Sequence, residues 1–282
     1  MLGAIIGDIV GSKYEFNNIK TKEFPLFSDG CYITDDSVMT IAVLDICIHK
    51  NIYNKNKIID TLKKWGRKYP QAGYGGAFYS WVLGDDRLPY YSYGTGAAMR
   101  ISPVAYFARS EEEVKEFSRR ITEVTHNHPE GLKGAEVTAM MIFKALHGAT
   151  KRDLEDYAVS CYPEIENFDY EELKRTYTHA EEICQNTVPQ AIYCFLISKD
   201  FEDCLRTTIS IGGDCDTTAA ISCAIAEAYY GYQGFSRDIL KQVINYIPKD
   251  MMKELKKVES YKKMFDSLSI WEQWVLNHSK YK

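Results

Sequence analysis

The chain has 282 residues, 45% of them hydrophobic, and a formal net charge of −5. This acidic balance argues against a general nucleic-acid binder or a membrane-surface protein. No apolar run approaches the ~18 residues of a transmembrane helix, and the apolar N-terminal stretch lacks a basic start and contains Asp8, which argues against a signal peptide.

No linker, low-complexity tract or internal repeat divides the sequence. We therefore expect one domain over residues 1–282, large enough to bury a substantial core. The eight cysteines are scattered and include no C-x-x-C pair, which is typical of reduced thiols in a cytoplasmic protein. The sequence predicts a cytoplasmic location and makes no prediction of oligomeric state.

The first predicted helix, Met1–Ser12, carries glycines at positions 3, 7 and 11. Residues four apart share one face of a helix, so this stripe predicts the close approach of a second helix. Asp8 lies next to the stripe in an apolar setting and needs a partner. A structural hydrogen bond and a supporting role beside a functional site are both open for it.

A cluster of Thr and Asp residues precedes the second predicted helix. The irregular segment Lys13–Ile33, which contains Glu15, ends at the sequence Thr-Asp-Asp-Ser of positions 34–37. The run Val38–Ile48 is apolar and free of helix breakers, so it predicts a buried helix. Thr34, Asp35 and Asp36 thus stand at the start of that helix.

A glycine-containing turn, formed by Gly94, Thr95 and Gly96, precedes a predicted helix over Ala97–Ala108. The free amides at a helix N-terminus bind anions, so the turn is a candidate diphosphate site. Arg100 either neutralises phosphate or pairs with one of the clustered aspartates, and we favour the pairing.

An H-x-H pair, His126 and His128, follows the predicted helix Glu111–Val124. This spacing occurs in zinc sites. In the amidohydrolases, however, the pair follows a barrel strand, and this chain has no alternating strand pattern. The context therefore argues against zinc. The loop tyrosines Tyr90, Tyr91 and Tyr93 either stack on an adenine or cover the core.

The rest of the chain alternates helical patterns with short polar turns. No segment shows the period of two that is typical of strands. Further helices are predicted at Leu132–Leu146, Arg152–Cys161, Tyr170–Cys184, Pro189–Ser198, Phe201–Ile211 and Arg237–Tyr246. Trp271 and Trp274 are expected to dock the last helix. We predict an all-α fold, a compact multi-helix bundle of one domain.

A second cluster of Thr and Asp residues precedes the most apolar helix. Two glycines, positions 212 and 213, are followed by Asp214, Asp216 and Thr217, and then by the predicted helix Ala219–Tyr230. Asp216 or Thr217 is the expected N-cap. One capping side chain suffices, so the crowding indicates either an overdetermined cap or ligands for a hard cation.

Four carboxylates share a small volume if the two clusters meet. Each close pair then repels by about 4 kcal/mol at a separation of ~4 Å and an effective dielectric constant of ~20. A bound divalent cation, Mg²⁺ or Mn²⁺, relieves this repulsion more simply than protonation does. The predicted ligands are Thr34, Asp35, Asp36, Asp214, Asp216 and Thr217.

Five motifs occur together in a characteristic order. They are GDIVGSKYEF at Gly7–Phe16, TDDS at positions 34–37, GTGAAMRISP at Gly94–Pro103, TH at positions 125 and 126, and GGDCDTTAA at Gly212–Ala220. The ordered set resembles the ADP-ribosylglycohydrolases, from the first residues to about Tyr232.

The resemblance implies a hydrolase that releases ADP-ribose from an ADP-ribosylated protein, with arginine linkage favoured, or from a small ADP-ribose conjugate. It implies two Mg²⁺ or Mn²⁺ ions between the two clusters, holding ribose hydroxyls and orienting a water. Glu15 or Asp36 then manages the proton, although Glu15 read alone is an ordinary loop glutamate. Gly94, Thr95 and Gly96 are placed at the diphosphate, and His126, rather than His128, beside the ribose.

Two other functions use the same residues. A two-metal phosphohydrolase of a dinucleotide or an ADP-ribose derivative shares the ligands and differs only in its products. A non-catalytic ADP-ribose-binding protein is disfavoured because both acidic motifs are retained.

Overall fold

A computed structural model describes residues 1–177 and 183–278, with side chains as far as Leu268. These residues form fifteen α-helices and four short 3-10 helices, and the one β-bridge recorded among them joins Gly94 and Ile183. The all-α prediction is confirmed. Trp271 and Trp274 lie outside the residues whose side chains are described.

The α-helices are numbered in chain order. They are α1 (Leu2–Ser12), α2 (Asp35–Ile48), α3 (Lys55–Lys68), α4 (Gly76–Leu83), α5 (Ser102–Phe107), α6 (Glu111–Thr122), α7 (Pro129–Leu146), α8 (Lys151–Cys161), α9 (Tyr170–Thr176), α10 (Cys184–Leu196), α11 (Phe201–Ile211), α12 (Cys215–Tyr230), α13 (Arg237–Val243), α14 (Lys249–Leu255) and α15 (Glu259–His278). The 3-10 helices are Asn51–Tyr53, Thr95–Ala97, Pro163–Asn167 and Tyr232–Gly234. In the described part of the chain, no helix is both long and apolar enough to cross a membrane.

The first helix and the central helix pack backbone against backbone. A Cβ atom added at Gly3 or Gly7 would lie 2.2 or 2.4 Å from a carbonyl oxygen of α12, and one at Gly11 would lie 2.4 Å from Cα of Asp216. A side chain therefore has no room at these positions, which confirms the close approach predicted from the glycine stripe. This packing sets Asp8 of α1 beside the start of α12.

A buried carboxylate ties the last helix to this pair. Glu227 of α12 is 2% exposed. Its Oε2 accepts from the backbone N of Gly3 at 2.8 Å, and its Oε1 accepts from the hydroxyl of Tyr261 at 2.5 Å. Three helices far apart in sequence, α1, α12 and α15, thus meet at one acidic group.

The start of α5 differs from the prediction. Residues Thr95–Ala97 form a single 3-10 turn, and α5 begins only at Ser102. Pro103 explains the start, because proline is tolerated only in the first turn of a helix and disfavours helical backbone before it.

The helix expected from Tyr170 to Cys184 ends at Thr176, and Cys184 instead begins α10. The prediction took Pro189 as a helix start, the place that prolines favour. Instead, Pro189 lies inside α10. The first turn of α10 packs tightly on α7, since a Cβ added at Gly134 would lie 2.7 Å from the Cys184 side chain. Tertiary packing therefore allows α10 to begin at Cys184, ahead of Pro189.

Candidate active site

A cavity of about 300 Å³ lies where the N-terminal ends of α2 and α12 meet. All of the candidate residues line it. They are Glu15, Thr34, Asp35, Asp36, Gly94, Thr95, Gly96, His126, Asp214, Asp216 and Thr217. The fold thus gathers residues from five separate stretches of sequence around one space.

The start of α2 is held by groups from two helices. Thr34 is its N-cap and accepts from the amide of Asp36 at 3.4 Å. Asp8 of α1 accepts from the hydroxyl of Thr34 at 2.6 Å and from the amide of Ser37 at 3.0 Å, and it also accepts from the hydroxyl of Ser37. The partner that Asp8 requires is therefore the first turn of α2.

The start of α12 differs from the predicted cap. Its N-cap residue is Asp214, which makes no side-chain capping bond, and Asp216 already lies within the first turn. Asp216 accepts from the adjacent amide of Thr217 at 3.0 Å. Asp216 and Thr217 are therefore not the N-cap, and the overdetermined-cap interpretation loses its main support.

The two glycines before Asp214 are required by backbone geometry. Gly212 and Gly213 have φ values of 79° and 70°, in the region that favours glycine. Asn18 fastens this turn to the loop after α1, because its side chain accepts from the amide of Gly213 at 2.9 Å and donates to the carbonyl of Glu15 at 3.0 Å. Glu15 is thereby held beside the α12 start.

The carboxylates form two groups that share one member. Oxygens of Asp8, Asp36 and Asp216 lie within 4.8 Å of one another, as do oxygens of Glu15, Asp214 and Asp216. Hydroxyls add to the first group, since Thr217 donates to Asp36 at 3.1 Å. Either group could hold a metal ion. Asp8 enters the site although its role was left open, and Asp35 lines the cavity without belonging to either group.

The electrostatics of these acids favour a bound cation. Burial and, next, repulsion by neighbouring aspartates raise the pKa of Asp36 well above its ordinary value. Burial and, next, repulsion by Asp214 raise the pKa of Asp216 well above its ordinary value. Burial raises the pKa of Asp8 to about 6. Oδ1 of Asp36 is buried with no hydrogen-bond partner. Hard oxygen donors with unmet charge and an orphaned buried oxygen are what a divalent ion requires.

Neutral substitutions of two aspartates of α2, Asp36 and Asp45, should change the free energy of unfolding in opposite directions. Burial raises the pKa of Asp45, also in α2, but hydrogen bonds from Lys64 and Trp65 and the charges of Lys64 and His49 together outweigh burial and hold that pKa below the ordinary 3.8. An acid whose pKa is raised on folding opposes folding above pH 3.8, whereas one whose pKa is lowered supports folding there. In chelator at pH 7, Asp36→Asn should therefore raise the free energy of unfolding, and Asp45→Asn should lower it by about 1 kcal/mol.

Thermal and urea unfolding of the two variants and the parent protein measure this contrast. A marked loss of stability in metal-free Asp36→Asn would show that the hydrogen bonds of Asp36 with Thr34 and Thr217 stabilise the fold, and would contradict the view that its charge is left unmet until a metal binds.

A buried cation is also among the residues that line the cavity. Arg100 is fully buried and does not form the expected ion pair with an aspartate; its Nη2 instead donates to the Thr125 hydroxyl at 2.7 Å and lies 3.4 Å from Nδ1 of His126. Burial and then Arg100 lower the pKa of His126 well below its ordinary value. The neutral form of His126 is therefore favoured.

The two histidines of the H-x-H pair have different roles in the structure: His126 lines the cavity, and His128 caps a helix. His128 is the N-cap of α7 and accepts from the amide of Glu130 at 3.1 Å. The rings of Tyr91 and Tyr93 lie against it. Of the three loop tyrosines, Tyr90 alone is among the residues that line the cavity.

Aromatic side chains complete the cavity and its mouth. Phe78 and Tyr90 contribute to the walls, and Phe16 and Tyr32 lie at the mouth, 80% and 48% exposed. Except for Tyr90, the sequence did not indicate these residues. Phe16 ends the Gly7–Phe16 motif, directly after Glu15, and that position is the signal that could have identified it.

Comparison with known proteins places this arrangement in context. A family model described as ADP-ribosylglycohydrolase matches residues 1–268. The mouse protein ADP-ribosylhydrolase ARH3 is 26% identical over 83% of each chain. The ADP-ribosyl-[dinitrogen reductase] glycohydrolase of Rhodospirillum rubrum is 26% identical over 71% of this chain and 69% of its own.

A third relative and a solved structure agree with that match. ADP-ribosylarginine hydrolase Tri1 of Pseudomonas putida (strain GB-1) is 24% identical over 86% of this chain and 72% of its own. A structure described as an ADP-ribosylglycohydrolase-related protein complex superimposes with a TM-score of 0.61, at 22% identity, over 93% of this chain and 92% of that one. At this identity, the superposition supports the helical fold alone.

Proposed function

Because this chain belongs to the ADP-ribosylglycohydrolase family, we propose that it is a metal-dependent hydrolase that cleaves the glycosidic bond between ADP-ribose and a modified target. The observation that carries the proposal is the pair of carboxylate groups that share Asp216, four of whose members, Glu15, Asp36, Asp214 and Asp216, line one cavity. The favoured target is an arginine-linked protein. The favoured cofactor is a pair of Mg²⁺ or Mn²⁺ ions.

The proposed ligands follow from the two groups. Asp8, Asp36, Thr34 and Thr217 surround one position, and Asp214 faces the other, with Asp216 common to both and Glu15 beside the second position. Bound divalent ions would supply the positive charge that these oxygens lack and would fix the ribose hydroxyls. The carboxylates themselves stabilise the positive charge that develops on the sugar ring as the glycosidic bond breaks.

Glu15 is a better candidate than Asp36 for the group that accepts a proton from the attacking water. Oδ2 of Asp36 already faces the hydroxyls of Thr34 and Thr217, at 3.2 and 3.1 Å, and the residue is 2% exposed. Glu15 is only half-buried and lines the cavity next to the mouth. A base must reach both the water and, afterwards, the solvent, and of these two acids only Glu15 has that position.

The mouth of the cavity supports the choice of arginine. A guanidinium is planar and cationic, so it is attracted both to carboxylates and to aromatic faces. Glu15 supplies the carboxylate, and the exposed rings of Phe16 and Tyr32 supply the faces. One of the relatives is also named as an ADP-ribosylarginine hydrolase.

Product analysis tests the function directly. The purified protein with Mg²⁺ is incubated in ¹⁸O-water with arginine-linked, serine-linked and small-molecule ADP-ribose conjugates, and the products are identified by mass spectrometry. We expect free ADP-ribose labelled at the distal ribose, released fastest from the arginine conjugate. AMP together with ribose phosphate would show a phosphohydrolase, and tight binding of ADP-ribose without turnover would show a binding protein.

Substitution of Phe16 tests the proposed specificity. Phe16→Ala should lower kcat/KM for an arginine conjugate by about threefold to thirtyfold, the range expected for loss of a cation–π contact. Affinity for free ADP-ribose should not change, because the leaving group is absent from it. Leu88→Ala is the matched control, since Leu88 is 69% exposed but does not line the cavity. An equal loss with all conjugates would contradict the assignment of Phe16 to the arginine side chain.

A further inference from the structure

Arg100 is a charged residue in a place where charge is costly. It is fully buried, its guanidinium carbon lies 5.5 Å from the centre of the Phe78 ring, and its Nε has no hydrogen-bond partner among the residues that the structure describes. Burying a cation without a carboxylate is unfavourable unless other groups compensate. We therefore expect the contacts of Arg100 to serve a function in addition to packing.

Those contacts determine which nitrogen of His126 carries the proton. Nδ1 of His126 lies 2.8 Å from the hydroxyl of Thr125 and 3.4 Å from Nη2 of Arg100. Arginine can only donate, and the same Nη2 donates to Thr125 at 2.7 Å. Nδ1 thus faces a cationic donor, and among the described residues it is the one acceptor recorded for the proton of the Thr125 hydroxyl, so Nδ1 is the acceptor. A neutral imidazole with an accepting Nδ1 carries its proton on Nε2.

The protonated nitrogen has an open side. A Cβ atom added at Gly96 would lie 3.0 Å from Nε2 of His126, so any side chain at position 96 would cover it. Gly96 and His126 both line the cavity, as does Arg100. The glycine therefore leaves the N–H accessible to a ligand in the cavity.

We propose that Arg100 is a positioning residue: acting through Thr125, it holds His126 in the tautomer whose Nε2–H donates to an acceptor oxygen of the ADP-ribose moiety. The identity of the ligand rests on the proposed function, but the tautomer does not. A fixed neutral donor beside a buried guanidinium suits an electron-rich oxygen, either a ribose hydroxyl or a phosphate oxygen.

The tautomer can be measured without a ligand. Two-bond ¹H–¹⁵N correlation spectra of histidine-labelled, Mg²⁺-loaded protein distinguish the two neutral tautomers, and comparison with His126→Gln assigns the signal among the six histidines. We expect a protonated Nε2 and a bare Nδ1. In Thr125→Val and Arg100→Met, the pattern should change to a mixture or to the other tautomer. A protonated Nδ1 in the parent protein would overturn the proposal.

Binding of ADP-ribose tests whether the Nε2–H group of His126 donates a hydrogen bond to the ligand. The amide nitrogen of glutamine reaches the position of Nε2, whereas that of asparagine reaches only that of Nδ1. His126→Gln should therefore bind within about threefold of the parent protein, and His126→Asn should lose about tenfold. Titration with ADP as well as ADP-ribose identifies the acceptor oxygen. Weaker binding of both ligands to His126→Asn indicates a phosphate oxygen, and weaker binding of ADP-ribose alone indicates a hydroxyl of the distal ribose.

A double-mutant comparison separates positioning from plain structure. Thr125→Val keeps the shape of the side chain and should weaken ADP-ribose binding about threefold to tenfold in the parent, but hardly at all in a His126→Gln background, which has no tautomer to set. Arg100→Met should behave alike; should it fail to fold, Thr125→Val carries the test. Equal losses in both backgrounds would overturn the proposal. The tautomer of His126 is read from the ligand-free spectrum, so this proposal can fail while the proposed function holds. The hydrolysis assay tests the proposed function separately.

Discussion

Replacement of Glu15 by glutamine is expected to lower turnover by roughly 10²–10⁴ while leaving the affinity for ADP-ribose nearly unchanged. The substitution keeps the size and hydrogen-bonding capacity of the side chain and removes the charge that accepts a proton. Single-turnover kinetics and calorimetric titration of ADP-ribose measure the two quantities separately.

The structure offers a matched control for this variant. Glu23→Gln removes the same charge from the same loop, but Glu23 is exposed and does not line the cavity. It should leave turnover near that of the parent. A joint fall in rate, metal affinity and ADP-ribose affinity would identify Glu15 chiefly as a metal ligand. Normal turnover in Glu15→Gln would remove it from the mechanism and leave Asp36 as the candidate base.

The second large effect is expected at Asp216. This residue belongs to both carboxylate groups, so Asp216→Asn should weaken both metal positions together. We expect turnover to fall by more than roughly 100-fold, beyond the 10–100-fold loss that is common when a group supporting a metal ligand is removed. Metal binding, followed by calorimetry, should fall in parallel.

Removal of metal from the parent protein should reproduce this loss. Chelation should abolish hydrolysis, and Mg²⁺ or Mn²⁺ should restore it better than Zn²⁺, because the oxygen donors of the site suit hard ions. Full activity in metal-stripped protein would contradict the proposed cofactor. Unchanged turnover in Asp216→Asn would contradict the assignment of the shared ligand.

The helices and the two acidic helix starts were predictable because their signals are local. Apolar periodicity indicated α2 and α12, and the sequence around Thr34 contains the capping residue that the structure uses. The glycine stripe of α1 indicated a close helix pair before the partner was known. The prediction that the two Thr/Asp clusters meet rested on chemistry and on the resemblance to a family, since neither cluster specifies the position of the other.

Long-range packing alone decided which side chains meet across the cavity. Asp8 joins Asp36 and Asp216 only because the glycines of α1 allow that helix to touch the backbone of α12. Arg100 was expected to pair with an aspartate, the usual partner of a buried cation. Instead, Arg100 lies just before α5 and donates to Thr125, in the turn after α6. Such partners are separated by tens of residues, so their contacts depend on the distance between backbones, and no periodicity or capping signal within one segment encodes that distance.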